Sequence, residues 1–261
     1  MTASRSATGS RRNVASHAAY LGLALAIVSL LLLAAGPIGW RAGWWSFGLA
    51  FSELMPWSAY LAAAGAVVAL LTLLFLRPSA GHGGAMVAVF ALAANLALLY
   101  PPLHWYEMGD KYPPIDDITT DPENPPNFAA VLPARQAEQS NSTVYGGTAT
   151  ARQQREAYPD IAPALTKLPT KAAFDKALDA AEAMPGWRIV AEDPAAGRIE
   201  ASQSSRWFGF TDDMVIRVTA GEAGSRIDIR SEARHGRGDF GVNAARVRAY
   251  LAQLRTELGG K

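Results

Sequence analysis

The chain has 261 residues, 24 Lys+Arg against 23 Asp+Glu, a formal net charge of +1 and no Cys. The charge balance excludes a polycationic nucleic-acid binder. The missing thiols exclude disulfides, thiolate zinc sites, Cys nucleophiles and thiol-ligated iron–sulfur clusters.

Three uncharged stretches come first: Ala18 to Ile38, Pro56 to Leu76 and Gly83 to Leu103. Each has about 21 residues, against the ~20 a helix needs to cross a ~30 Å hydrocarbon core. None shows the polar stripe of a helix half-exposed to water. Arg5, Arg11 and Arg12 precede the first stretch as they would a signal peptide. Its apolar run is longer than a typical h-region and two further spans follow, so it reads as a retained span. Those three arginines, with no acid beside them, place the tail, residues 1–17, in the cytoplasm by the positive-inside rule. The first loop then faces outward. It holds Trp40, Trp44, Trp45 and Phe47, the composition of an interfacial belt or a short surface helix. The second loop, with Arg77 and His82, returns inside. Three spans over residues 18–104 put the rest of the chain outside, the periplasm of a Gram-negative host. The localisation read from this is a bacterial inner membrane, multi-pass. Asn95 is the strongly polar residue inside a span, placed to bond a neighbouring helix. No Asp, Glu, Lys or Arg lies within any span, unlike most proton relays and ion-coupled transporters.

From Tyr112 onward the chain has 18 Lys+Arg and 20 Asp+Glu and is soluble in character. Residues 105–160 are dense in Pro, Asn, Thr and Gly, and YPPIDDITTDPENPPNF alone holds five prolines. Each fixes its own φ and biases its predecessor to extended geometry, so this segment reads as an extended strap and not a helix. Residues 161–261 read as an α+β core. Phe174, Ala177, Leu178 and Ala181 give helical spacing over Thr170 to Met184, with Thr170 as N-cap and Pro185-Gly186 as the stop. Strands follow at Trp187 to Ala191, Arg198 to Arg206, Met214 to Thr219 and Ser225 to Arg234, joined by short turns that make them antiparallel hairpins. A last helix runs from about Gly241 to Leu258, capped by Asp239. Strand alternation is clean. Arg226, Asp228, Arg230, Glu232 and Arg234 share one face, Ile227, Ile229, Ser231 and Ala233 the other. The predicted architecture is an α-helical membrane anchor plus an α+β domain, with an antiparallel sheet of about four strands and two helices on its apolar face.

Three groups of residues carry possible chemistry. The strap gathers Asp116, Asp117, Thr119, Thr120, Asp121 and Asn124. This is an oxygen-rich cation site or carboxylate pair on one reading, and Asx and ST turns that fix an irregular strap on the other. The charged strand, with Arg206 and Arg217 beside Arg230 and Arg234, is either an anion-binding face or a solvated face with cross-strand pairs. Between these lies a third reading, in which Asp117 or Asp121 docks the strap on one of the arginines. The turn from Arg234 through Arg237 to Gly241 leads into a helix N-terminus, which favours anions, but Asp239 caps the same N–H groups, and Asn243 and Arg246 are placed to pin the loop. One His in this part of the chain and no Cys leave no zinc site, and no cofactor is expected.

IDDITTDPENPPNF, RWFGFTDDMVIRV and SRIDIRSEARHGRGDFGVNAARVRAYL together resemble domain-of-unknown-function family 1499, over about Tyr112 to Leu258. Met214-Val215 stands where an aliphatic pair is more usual. The resemblance implies a bacterial or plastid-type setting, often with spans or a signal peptide ahead of the domain, and it implies no activity.

The expected function is a membrane-anchored, non-catalytic binding or interaction module of the cell envelope. Its partners are the lipid bilayer and an envelope protein or anionic envelope ligand, not nucleic acid. Its expected ligand residues are Asp117, Thr120, Asp121, Arg206, Asp213, Arg217, Arg230, Arg234, Arg237 and Asn243. Two alternatives are an envelope hydrolase with Asp117, Asp121 and Asp213 as acids, and a subunit of a larger membrane complex bound through its spans.

Overall fold

The computed structural model describes residues 2–76 and 84–260. The loop expected at Arg77 and His82, and Gly83 after it, lie outside the described residues. The chain forms two compact units, Met1–Glu107 and Met108–Lys261.

The first unit holds α1 (Thr2–Arg41), α2 (Met55–Leu71) and most of α3 (Gly84–Lys111), with π-helical turns at Gly48–Leu54 and Thr72–Leu76. Three helical stretches, Val14–Arg41, Gly48–Phe75 and Gly84–Lys111, are long and apolar enough to cross a membrane. Their mutual packing uses small residues. Ala19, Ala26, Ala62, Ala69, Ala88 and Ala91 are buried, whereas Leu31, Phe75, Met86 and Phe90 point outward. Such close approach is how helices associate where no hydrophobic force separates protein from solvent. Asn95 sits buried at the centre, its Nδ2 donating to Gly22 O at 3.0 Å and Ala91 O at 2.8 Å. Gly65 leaves the room: a Cβ there would lie 2.4 Å from Asn95 Oδ1.

The second unit is an α+β domain. Its elements are β1 (Asp117–Thr119), α4 (Leu132–Ala137), α5 (Gly147–Ala157), β2 (Ala164–Thr166), α6 (Thr170–Glu182), β3 (Arg188–Asp193), β4 (Arg198–Ser204), β5 (Thr211–Gly221), β6 (Gly224–Ala233) and α7 (Val242–Glu257). The antiparallel sheet has six strands, not the four expected, in the order β1-β6-β5-β4-β3 with β2 also on β6. The two extra strands are three residues each, too short to carry a period. They divide the outer edge of β6 between them, β2 against Ile227–Ser225 and β1 against Glu232–Arg230. That edge would otherwise present unpaired N–H and C=O groups. Gly224, at φ +141°, permits this approach, since a Cβ there would meet Thr166 O at 2.1 Å.

The strap also differs from expectation. Its first residues, to Lys111, continue α3, and it carries the helices α4 and α5. α5 has no apolar stripe, but its buried Gln154 closes β1: Thr119 N donates to Oε1 at 2.9 Å and Nε2 donates to Thr119 O at 2.7 Å. The side-chain amide takes the place of a further strand.

The apolar face of the sheet receives α6 and α7. Ile199, Ile216, Ile227 and Ile229 meet Phe174, Ala177, Val247, Tyr250 and Leu254 in one core. Thr170 is the first helical residue of α6 rather than its cap, a role that falls to Pro169. The N-cap position of α7 is Gly241, at φ +79°, and not Asp239 as expected; Asp239, two residues earlier, still satisfies the helix start by accepting from Gly241 N at 2.9 Å and from Asn243 N.

Candidate functional site

The charged face of the sheet is not solvated. The strap lies on it and the charges form an interior layer. Strand register explains which ones meet. Ser202, Asp213, Glu232 and Asp117 pair in one row across β4, β5, β6 and β1. Three carboxylates therefore stand side by side on adjacent strands, an arrangement that is repulsive unless cations intervene.

Three guanidiniums intervene. Arg234 grips Asp213 through Nε and Nη2, both at 2.8 Å. Arg135, from α4, bridges Asp213 (Nη1, 2.9 Å) and Glu232 (Nη2, 2.9 Å). Arg230 bridges Glu232 (Nη2, 3.1 Å) and Asp117, which it holds through Nε and Nη2 at 2.8 Å each. The result is an alternating chain, Arg234–Asp213–Arg135–Glu232–Arg230–Asp117, with every member buried. Arg230 is 1% exposed, donates further to Pro126 O and Thr143 O, and lies between the rings of Phe128 and Tyr145. Its planar fork matches this many acceptors where a lysine would not.

Two smaller clusters flank the chain. Fully buried Asp228 accepts from Arg217 (3.0 Å), Arg226 (2.9 and 3.0 Å) and Thr120 Oγ1 (3.1 Å). Asp121 from the strap closes this group onto Arg217 and Arg226 at 2.9 and 3.0 Å. Glu200, also fully buried, accepts from the N–H groups of Ala129, Ala130 and Val131 just ahead of α4, and forms an ion pair with Arg198 at 3.1 Å. Beside it Phe128, Val131 and Val215 form a small apolar patch.

Burial pushes the Glu232 carboxyl well above the usual range, and the neighbouring Asp117 adds to the rise against the pull of Arg135 and Arg230. Burial likewise raises Asp117, against its bonds to Arg230. Desolvation of the charged forms outweighs pairing here. On the opposite face, burial raises Asp239 to about 6.

The expected site residues therefore scatter over four places. Asp117, Asp213, Arg230 and Arg234 join the alternating chain. Thr120, Asp121 and Arg217 join the Asp228 cluster. Asn243 lies on the helix side, accepting from Ser231 Oγ at 2.6 Å and donating to Asp116 O at 2.9 Å. Arg206 and Arg237 are exposed in loops: β4 ends at Ser204, so Arg206 is not on the sheet face as expected. Arg135 and Glu200 were not among the expected site residues. Arg135 is the one cation between Tyr112 and Ala151, in a segment of acids, and that isolation was a readable signal.

Chemically the layer is a fastening. Its hydrogen-bonding atoms converge on one another rather than on a cavity. Among the described residues no group of three or more His, Asp and Glu side chains is arranged to hold a metal. No curated protein and no solved structure matches the chain. A family model does match residues 117–254, a span that runs from the first strap carboxylate of the fastening to the last buried leucine of α7. That is more than half of the chain, which belongs to the family described as protein of unknown function (DUF1499).

Proposed function

We propose that this protein is a non-catalytic interaction module of the cell envelope, held at a bacterial inner membrane by three spans, with its α+β domain on the outer side. The observation that carries the reading is the internal use of the domain's charges. Arg135, Arg230 and Arg234 direct their charge at Asp117, Asp213, Glu232 and Glu138, so the face best suited to an anionic substrate is filled by the protein's own strap. A domain built this way offers a rigid exterior rather than a reactive interior. The orientation is supported by Arg5, Arg11 and Arg12 ahead of the first span. A hydrolase reading is disfavoured by the same contacts, since Asp213 is fully buried between two guanidiniums.

The test uses the absence of native cysteine. Glu222→Cys in the β5–β6 turn of the full-length protein reacts with a membrane-impermeant maleimide on intact spheroplasts if the domain is external. Labelling only after lysis overturns the orientation. Hydrolysis of envelope esters or phosphoesters by purified protein, abolished by Asp213→Asn in a variant that remains folded, overturns the non-catalytic reading.

A further inference from the structure

The turn Ser205–Phe210 is built outward. Ser205 N donates to Phe210 O at 2.8 Å, Gly209 N donates to Ser205 O at 2.9 Å, and Phe210 N donates to Ser205 Oγ at 3.1 Å. Gly209 at φ +72° makes the reversal possible. Phe208 is buried and stacks on Phe210 at 4.6 Å, rooting the turn in the domain. Arg206 and Trp207 are thereby presented at the tip, with Trp207 55% exposed.

This turn shares one end of the domain with the arriving chain. Tyr112 packs over Gly241 and Pro114 over Gly238. Asp116 O accepts from Ala233 N at 3.0 Å, the next residue's N–H, that of Arg234, donates to Thr211 O at 3.0 Å, and Thr211 directly follows the turn. Exposed Arg237 lies in the loop at this same end. The acids nearby have partners within the domain: Asp212 pairs with Arg246, Glu138, its side chain 46% exposed, pairs with Arg234, and Asp239 accepts from Gly241 N at the start of α7.

We infer that the Ser205–Phe210 turn is a membrane-surface anchor, seating Trp207 in the headgroup region of the bilayer the chain spans, with Arg206 and Arg237 against anionic lipid phosphates. Tryptophan beside arginine is the residue pair favoured at that depth. Proximity follows from covalent reach: residues 104–111, between the last uncharged stretch and the domain, span at most ~30 Å even when extended. The inference rests on the spanning helices of the proposed function.

The test is made on full-length protein in vesicles of phosphatidylethanolamine and phosphatidylglycerol. A fluorophore is placed on Arg206→Cys and, separately, on Glu222→Cys at the opposite end of the sheet. A nitroxide carried on the lipid headgroup quenches the label at 206 several-fold more than the label at 222, and Trp207→Ala added to Arg206→Cys brings the two to the same level. Leu165→Ala, an exposed apolar site at the far end, leaves the difference intact. Equal quenching at the two positions in protein that floats with the vesicles overturns the anchor alone, as does a difference that survives Trp207→Ala. Protein that does not float overturns the spanning helices and the anchor together.

Discussion

The two faces of one sheet are sealed by opposite chemistry. On the helix side, Ile199, Ile216, Ile227 and Ile229 meet the stripes of α6 and α7. On the strap side, the same strands present Glu200, Asp213, Asp228 and Glu232 to guanidiniums and backbone N–H groups. Apolar burial is non-directional and tolerates repacking within a methylene or so. A buried charge has no such latitude, because its partner must be present and aligned. The helices can therefore find the sheet by shape and apolar area. The strap sends Ile115, Ile118 and Tyr158 into the helix-side core, but over the charged face it buries only Phe128 and Val131 as apolar anchors, and there it is registered by which acid meets which arginine. We expect the strap side to tolerate mild substitution less than the helix side.

Removing a bridging cation is the strongest way to test this contrast. Arg135→Ala leaves Asp213 and Glu232 facing each other across β5 and β6 without their shared guanidinium. Breaking a buried pair on one side costs ~3–5 kcal/mol. Urea unfolding of the full-length protein in micelles, read by proteolysis of the domain, should show that loss together with early cleavage in residues 120–157. On the helix side, Ile229→Val deletes one methylene from a fully buried residue and should cost only ~0.5–1.5 kcal/mol, with the strap still protected. Equal losses for the two variants would remove the distinction between the faces.

A smaller effect distinguishes the faces by pH. The Glu232 carboxyl is raised in the folded state, so between its unfolded and folded pKa values the native protein holds a proton that the unfolded chain has released. Native proton binding then exceeds that of the unfolded state, and stability falls as pH rises through this window, by up to ~1.4 kcal/mol per pH unit for one group. This is opposite in sign to ordinary acid denaturation. Glu232→Gln, which keeps the size and much of the hydrogen-bonding capacity, should reduce the slope above pH 5, leaving the part of the same sign that Asp117, also raised by burial, contributes on this face. Asp239, raised to about 6 on the other face, leaves a residual slope of the same sign that ends near pH 6.

Much of the helix side was legible in the residues, and much of the strap side was not. Period-2 alternation in Arg226–Arg234 and the helical spacing of Phe174, Ala177 and Ala181 depend only on one apolar layer, so they can be read locally. The same alternation shows that a face is polar without showing what covers it. β1 and β2 have three residues apiece and acquire their form from the edge of β6. α5 reads GTATARQQREA, with no stripe, and its link to the sheet is a single glutamine amide on Thr119. Prolines in the strap point to a non-helical backbone, and Pro125-Pro126 lie outside any helix, but Pro133 falls within the first turn of α4, where a missing N–H is harmless. The docking of Asp117 and Asp121 on arginines was one of the readings open from sequence. Arg135, the cation that joins two sheet acids, belongs to no strand or helix period readable in the sequence, and only its isolation among acids marks it.

The mildest test concerns the edge of the ionic layer. Asp121 contacts Arg217 and Arg226, whose side chains are 21% and 37% exposed, and Asp121 itself is 15% exposed. Water screens these charges and can replace a lost partner, so Asp121→Ala should cost at most ~1 kcal/mol, in the range of surface pairs. Arg217 keeps Asp228 in that variant, and Asn124 N loses the Asx-type bond it donates to Asp121 Oδ1 at 3.1 Å. Asp117→Ala, further into the layer, strips Arg230 of both its 2.8 Å bonds to that carboxylate and should cost several times more. The ratio of the two losses, measured by the same urea titration, reads how steeply the layer passes from interior to rim. A ratio near one would mean that water reaches Arg230 as readily as Arg217, and the strap would then be a loose cover rather than a register held by buried charge.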